Sequence, residues 1–484
     1  MPSPVDRFTL SRRRLLAGAG AASLLALPWP AAAEGPGDAR YTLTARTGKA
    51  GLQGAGKPET GIWGFEGTAP GPVLRVRQGH RLDVKLVNQL AQPTTIHWHG
   101  IRVPNDMDGV PGLTQDAVKP GETYPYSFVC ADAGTFWYHP HGNSAEQLGR
   151  GLSGMLIVEE ERPPETDREI VWVLSDWKLK DDGTIDPDFA NPQELSHDGR
   201  IGKLITVNGA PGGTVPLRQN ERLRIRLLNV ANARIFELGF DAEGKPHDPW
   251  LIALDGQPVP PRRLGKEHLE LAPGMRADLL LDAAAVSGGP SPLLFYPPGD
   301  DPAPLVRFGM SGDAPVRAAP LPAPAPLAGN PIAVPDLARA ERHALVFAGG
   351  ARPGEHMHGQ PKDGAPAEPP PRWTVNGKSL DHGATGHAHA EPFVTLKRGA
   401  TALFELKNDT VFDHPIHLHG HTFRILSRNG KALAAPLLSD TILMSQQESA
   451  EIAFVADNPG NWMLHCHILE HQESGMGAVF RVAA

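Results

Sequence analysis

The stretch Leu74-Arg75-Val76-Arg77-Gln78-Gly79-His80-Arg81-Leu82-Asp83-Val84-Lys85-Leu86-Val87-Asn88 places an apolar side chain at every second position on both sides of a Gln-Gly turn. That period marks half-buried strands. The same design returns from Val215 to Asn229, with Leu217, Leu223, Ile225 and Leu227 in step. It returns again from Val394 to Asn408, with Leu396, Ala402, Phe404 and Leu406. Each copy ends at an asparagine. Trp63-Gly64-Phe65-Glu66-Gly67, Val207-Asn208-Gly209 and Val375-Asn376-Gly377 precede them at similar offsets. A second correspondence links Phe128 to Trp137, through Gly134, with Phe454 to Trp462, through Gly460. Three copies of a Greek-key β-sandwich, an all-β fold, is the simplest reading.

Abundant Gly and Pro and modest use of strong helix formers agree with many short strands joined by turns. Boundaries fall where strands give way to Pro: a first module over 34–162, a second over 163–313, a Pro/Ala-rich linker over 314–340 and a third module over 341–484. Residues 1–33 read as a twin-arginine export signal: Ser11-Arg12-Arg13-Arg14-Leu15-Leu16, an apolar run to Leu27, then Ala31-Ala32-Ala33. The expected location is the periplasm, reached through the twin-arginine export machinery, without stable membrane insertion. The formal charge is −8, and the first 33 residues carry four arginines against one acid, so the remainder stands at −11. An acidic chain of this kind is not a nucleic-acid binder.

Chemistry concentrates in His465-Cys466-His467, followed by His471 and Met476. In a strand His465 and His467 point one way and Cys466 the other, so one segment serves two sites. A Cys with two His and a distant Met is the donor set of a blue-copper electron-transfer centre. Only one other cysteine exists, Cys130, in an apolar strand before a Gly turn. A Cys130–Cys466 disulfide is the alternative for an exported chain; the histidines around Cys466 give its sulfur a better use, and Cys130 reads as a small buried hydrophobe. Three further pairs share the i, i+2 spacing: His97/His99, His139/His141 and His417/His419. Eight imidazoles match a site for more than one metal, set between the first and third modules, which supply two pairs each. The second module has only the scattered His197, His247 and His268, and reads as scaffold. His414 precedes His417 by three; a chain turn at Pro415 would let it join Cys466, His471 and Met476. His421 is left over as a packing or hydrogen-bonding residue.

These runs resemble the four copper motifs of the multicopper oxidases, laccase-like and cuprous-oxidase-like, over nearly the whole chain after the signal. The resemblance implies three cupredoxin-like domains and four copper ions. His414, Cys466, His471 and Met476 match the type 1 ligands, and His97 and His417 the type 2 positions. His99, His139 and His467 match one copper of the binuclear type 3 pair, and His141, His419 and His465 the other. Asp108 matches an acid associated with water near the trinuclear cluster. The implied activity takes single electrons from a small reducing substrate (a phenol, an aromatic amine or Cu(I)) and reduces dioxygen to water, with Cys466 wired through the backbone to His465 and His467. Met476 as axial ligand implies a lower potential than Leu or Phe would.

One position departs from the family: Gln472 stands where cuprous-oxidase-like members often carry a proton-feeding Glu, and Glu473 would point elsewhere, so proton delivery leans on Asp108. His356-Met357-His358, His382, His387 and His389 read either as a copper-gathering loop or as a solvated one. Asp440 resembles an acid near the Cu(I) docking site of those relatives, or is a strand-start Asp. A copper nitrite reductase would lack the four pairs, and copper-free relatives of this fold lose the ligands. The alternative reading is a periplasmic copper-binding, copper-tolerance protein that sequesters copper or detoxifies Cu(I).

Overall fold

The computed structural model describes residues 37–240, 247–283, 291–351, 372–380 and 390–484. The export-signal segment, and the stretch carrying His356, Met357, His358, His382, His387 and His389, lie outside the described residues. Six sheets pair into three sandwiches. In the first, Thr60–Phe65, Ala39–Ala50, Arg81–Asn88 and Thr123–Val129 face Leu74–Arg77, Gly154–Glu159, Gly134–His139 and His97–His99. The other two each pair a six-stranded with a five-stranded sheet. Among the described residues, no helix is long and apolar enough to cross a membrane.

The repeat read in the sequence occupies the same place three times. Arg81–Asn88, Arg222–Asn229 and Thr401–Asn408 each run parallel to the opening strand of their sandwich, Ala39–Ala50, Arg168–Trp177 and Glu341–Ala348. The short strand before each crosses to the other sheet and pairs in parallel with the last strand there. Parallel neighbours joined by crossovers are what a Greek key requires. The closing asparagines explain themselves. Asn88 Nδ2 donates to the main-chain oxygens of Gln92 and Val118 (2.9 and 2.8 Å), Asn229 Nδ2 to Arg234 and Leu271 (both 2.7 Å), and Asn408 Nδ2 to Phe412 and Ser445 (2.7 and 2.8 Å). Each Oδ1 accepts from the amide two residues on. A buried amide thus satisfies main-chain groups that no strand ladder reaches. The preceding turns are equivalent too. Glu66, Asn208 and Asn376 adopt φ of 58, 53 and 52°, and their side chains accept from Thr44, Val173 and Val346 N.

Two sequence expectations are revised. Arg222–Asn229 alternates in sequence but is buried on both faces. Its outer arginines lie in the contact with the first sandwich, where Arg224 meets Glu160 and Arg226 meets Thr135, while Asp278 of their own sheet binds both. Such pairs fix how two surfaces register more than they add stability. Pro415 makes no turn: His414–Leu418 is one strand paired with Thr441–Met444. His414 reaches the Cys466 side because residues an odd number apart face opposite ways. The linker is extended but stitched down, with Asn330 bonded in both directions to Ala133 (2.8 and 2.9 Å) and Arg222 donating to Pro322 O (2.7 Å).

Candidate metal centre

Strand parity and register assemble the site. His97 pairs opposite His139, His417 opposite His465, and Ile416 opposite Cys466. Trp98 faces inward onto Tyr126, Phe128 and Tyr138, so His97 and His99 face out of the first sandwich. Ile416, Leu418 and Cys466 belong to the core of the third, leaving His417, His419, His465 and His467 on the opposite side. The two imidazole-bearing faces meet and cross-stack, His97 on His419 (3.9 Å between ring centroids) and His99 on His417 (3.6 Å). All eight rings are buried, and the cluster sits between the first and third modules.

The hydrogen bonds fix which ring nitrogen keeps its lone pair. Nδ1–H of His97 donates to Asp108 O (2.8 Å), of His417 to Asp440 O (2.8 Å), of His139 to Pro140 O (2.8 Å), of His465 to Cys466 O (2.8 Å) and of His419 to Asp108 Oδ2 (2.9 Å). Their Nε2 atoms therefore carry the lone pairs. His99 is reversed: its Nε2–H donates to Asp440 Oδ1 (3.1 Å), leaving Nδ1. Nε2 of His97, His139 and His417, Nδ1 of His99 and both nitrogens of His467 are buried without a hydrogen-bond partner. Orphaned buried acceptors cost stability; bound metal is what they fit. Nε2 of His465 lies 3.0 Å from that of His419 and 3.3 Å from that of His141. The ligand atoms of His141, His419 and His465 lie within 4.8 Å of one another, as do those of His97, His417 and His419, and of His97, His99 and His139.

On the core side, His414 Nδ1 and His471 Nδ1 lie 3.1 Å apart, and 3.6 and 3.7 Å from Cys466 Sγ. Each Nε2–H is engaged elsewhere: His414 donates to Thr410 Oγ1 (2.8 Å) and His471 to His197 O of the second module (2.5 Å). Met476 is buried in the same core, its main-chain oxygen accepting from Cys466 N (3.0 Å). Trp373 packs on the His471 ring at 4.1 Å.

Burial sets the protonation states. It pushes His99, His139, His414, His419, His465 and His467 well below the usual imidazole range, with neighbouring imidazoles adding to it in each case, and His471 down to about 3. Neutral imidazole is the metal-binding form. Burial pushes the Cys466 thiol up, so a thiolate there needs a cation beside it. Cys130 is buried and free, its thiol pushed up by burial to about 12. His421 packs among Phe454, Trp462 and Phe480, with its Nδ1 on His419 O.

Several contributors escaped the sequence reading. The part that Asp440 plays is one of them: it is buried against His99 and His417 and takes two hydrogen bonds from Arg276 (2.9 and 2.5 Å). Arg276 belongs to the second module, which is therefore more than a spacer. Thr410, Thr441 and the His197 carbonyl hold the rings of His414, His99 and His471 without any local motif to announce them. Gln472 is buried with both amide atoms unpartnered. Glu473 does turn away, accepting from Ser144 N (2.7 Å) at the start of the helix that follows His141.

A buried thiol between two imidazole nitrogens, with eight clustered imidazoles behind it, defines a copper-dependent oxidoreductase. Known proteins agree. Multicopper oxidase family models match residues 47–163 and 363–484. The crystal structure of a multi-copper oxidase from Pseudomonas thermotolerans is 38% identical, with a TM-score of 0.78, covering 92% of this chain and 99% of that one. Multicopper oxidase MmcO of Mycobacterium tuberculosis is 29% identical over 94% of this chain and 90% of its own length. Copper resistance protein A of Escherichia coli is 26% identical over 96% of this chain and 95% of its own. The chain belongs to the multicopper oxidase family. It is an oxidase that uses dioxygen as acceptor.

Proposed function

We propose that this enzyme binds four copper ions and oxidises a small phenol or aromatic amine, one electron at a time. His414, Cys466 and His471, with Met476 as weak fourth donor, hold the type 1 ion. His97 and His417 hold the type 2 ion; His99, His139 and His467 hold one type 3 ion, and His141, His419 and His465 the other. Copper at these positions supplies one-electron chemistry and the storage needed to reduce dioxygen by four electrons to water. The observation carrying the reading is the hydrogen-bond pattern, which commits one nitrogen of His97, His99, His139, His417, His419, His465, His414 and His471 to a backbone or side-chain oxygen and leaves the other for a neighbouring donor group.

The chain's own groups do the rest. Peptide bonds join Cys466 to His465 and His467, giving a covalent path from one centre to the other. Burial of all eight rings keeps bulk water out, and Asp108, touching His97 and His419, moves protons. The division into modules over 34–162, 163–313 and 341–484, with a linker over 314–340, puts the ligands in the first and third. Residues 1–33 direct export through the twin-arginine machinery to the periplasm. Copper-loaded protein with an intense blue band, about four coppers per chain and oxygen uptake on a phenol is the expected result; a colourless protein would refute the proposal.

A second reading, Cu(I) oxidation or copper sequestration in copper tolerance, is favoured by the likeness to copper resistance protein A and by the sequence His356-Met357-His358. Oxygen uptake with Cu(I) against a diphenol, with and without residues 352–371, separates the two. A Cu(I) rate that collapses on deletion while the diphenol rate persists selects the second.

A further inference from the structure

We propose that Arg276, from the second module, is a positioning residue of the imidazole cluster: it holds the Asp440 carboxylate in the one orientation that takes the Nε2 proton of His99, and so turns Nδ1 of His99 toward the neighbouring ligands. This rests on the ligand set proposed above and extends it to the module that supplies no ligand.

His99 needs a special device. His97, His139, His417, His419 and His465 all donate through Nδ1, whereas His99 donates through Nε2. A ring turned end for end needs an acceptor on its far side, and Asp440 Oδ1 is that acceptor at 3.1 Å, with Thr441 Oγ1 beside it at 3.2 Å. Arg276 grips both oxygens of Asp440, Nη1 to Oδ1 at 2.9 Å and Nη2 to Oδ2 at 2.5 Å. A planar guanidinium on a carboxylate fixes direction as well as charge.

Arg276 is itself held at three further points, one of them braced from the third module. Its Nε donates to Thr135 O of the first module (3.2 Å), its Nη1 to Gly274 O (2.9 Å) and its main-chain N to Asp255 Oδ1 (2.9 Å), while Ser439 of the third module donates to Asp255 Oδ2 (2.5 Å). All three modules converge on one side chain.

The surroundings are shaped for this pair. Gly100, directly after His99, has φ of +84°, and a Cβ there would lie 2.3 Å from Arg276 Nη2 and 2.5 Å from Asp440 Oδ2. Gly274 has φ of +85°, and a Cβ there would lie 2.9 Å from His99 Cε1 and 3.0 Å from His467 Cδ2. The backbone of the second module thus approaches two cluster rings as closely as glycine allows.

The test compares copper content and spectra in Arg276→Lys, Arg276→Met and the double variant Arg276→Met/Asp440→Leu. The blue band of the Cys466 centre shares no residue with these contacts and reports folding. Arg276→Met is expected to keep the blue band and lose about 10- to 100-fold in affinity for copper at the cluster, with an altered type 2 signal in electron paramagnetic resonance and Arg276→Lys intermediate. Should Arg276→Met lose the blue band through an unpaired buried charge, the double variant restores it, since replacing both charges is often neutral, yet stays deficient in cluster copper. Wild-type cluster occupancy in Arg276→Met, or its recovery in the double variant, would overturn the proposal. A wild-type chain that holds blue copper alone would instead overturn the ligand set on which it rests.

Discussion

Asp108 and Asp440 are counterparts across the face where the first and third modules meet. The main-chain oxygen of Asp108 accepts from His97 Nδ1 (2.8 Å) and its carboxylate from His419 of the other module (2.9 Å). The main-chain oxygen of Asp440 accepts from His417 Nδ1 (2.8 Å) and its carboxylate from His99 of the other module (3.1 Å). The likeness stops at the second oxygen. Arg276 occupies both oxygens of Asp440, whereas Asp108 Oδ1 has no hydrogen-bond partner. One acid is clamped; the other keeps an oxygen for a proton or a water.

That asymmetry predicts different outcomes for the same substitution. Asp108→Asn keeps the size of the side chain and removes its capacity as a base, so turnover falls by about 10²- to 10⁴-fold, the usual share of general acid–base catalysis. Blue colour and anaerobic bleaching by the donor persist. Asp440→Asn lowers copper retention at the cluster before it lowers the rate per copper. Steady-state oxygen uptake normalised to copper content separates the two, and unchanged turnover and pH profile in Asp108→Asn would remove it from the proton path.

Cys466→Ser tests the core-side centre. The hydroxyl fits the volume but is a poor soft donor, so the blue band and donor-driven oxygen uptake disappear. The eight imidazoles of the cluster lie on the other face of the strand and keep their copper. Metal analysis of the variant is therefore expected to find only the blue ion missing; loss of all copper would contradict two separately built sites.

The closing asparagines carry a stability prediction. Asn408→Ala strands the amide of Thr410, takes a donor from the carbonyl of Ser445 and leaves the Phe412 carbonyl to the Thr410 hydroxyl alone, a loss of about 2–4 kcal/mol at roughly 1–3 for each buried group left short of a partner, with partial relaxation. Thr410 also holds His414 Nε2, so the blue band shifts as well. Asn88→Ala, at the equivalent place in the first sandwich, loses similar stability in denaturant titrations and leaves the band alone.

The fold was legible because its signal is local and repeated: alternation, a turn and an asparagine, three times. The imidazole faces were legible for the same reason, since i, i+2 spacing survives any arrangement of strands. What stayed hidden depends on approach between modules. Nothing around Arg276 distinguishes it from Arg224 or Arg226, which also lie on strands of the second module and end in other ion pairs. Asp440 reads as an acid near a Cu(I) docking site or as a strand-start acid, and neither reading names His99, more than three hundred residues earlier, as its partner. Pro415 misled in a simpler way: Pro suggested a turn, while strand parity alone already sends His414 and His417 to opposite sides.

His421, buried near the cluster but no ligand, gives the copper-free protein a pH dependence that can be removed. Burial pushes it down from 6.5 to about 4. Below pH 6.5 the unfolded chain takes a proton that the folded chain refuses, so stability is full above that value and falls by about 1.4 kcal/mol per pH unit on the way down to pH 4. His421→Phe fills the aromatic pocket and cannot titrate. Near pH 7 it gives up the hydrogen bond to His419 O, costing about 1 kcal/mol. At about pH 5 it escapes a penalty of about 2 kcal/mol, so the variant becomes the more stable of the two. Denaturant unfolding of both copper-free proteins between these values is expected to give curves that cross, and parallel curves would mean that this ring is not held neutral by the fold.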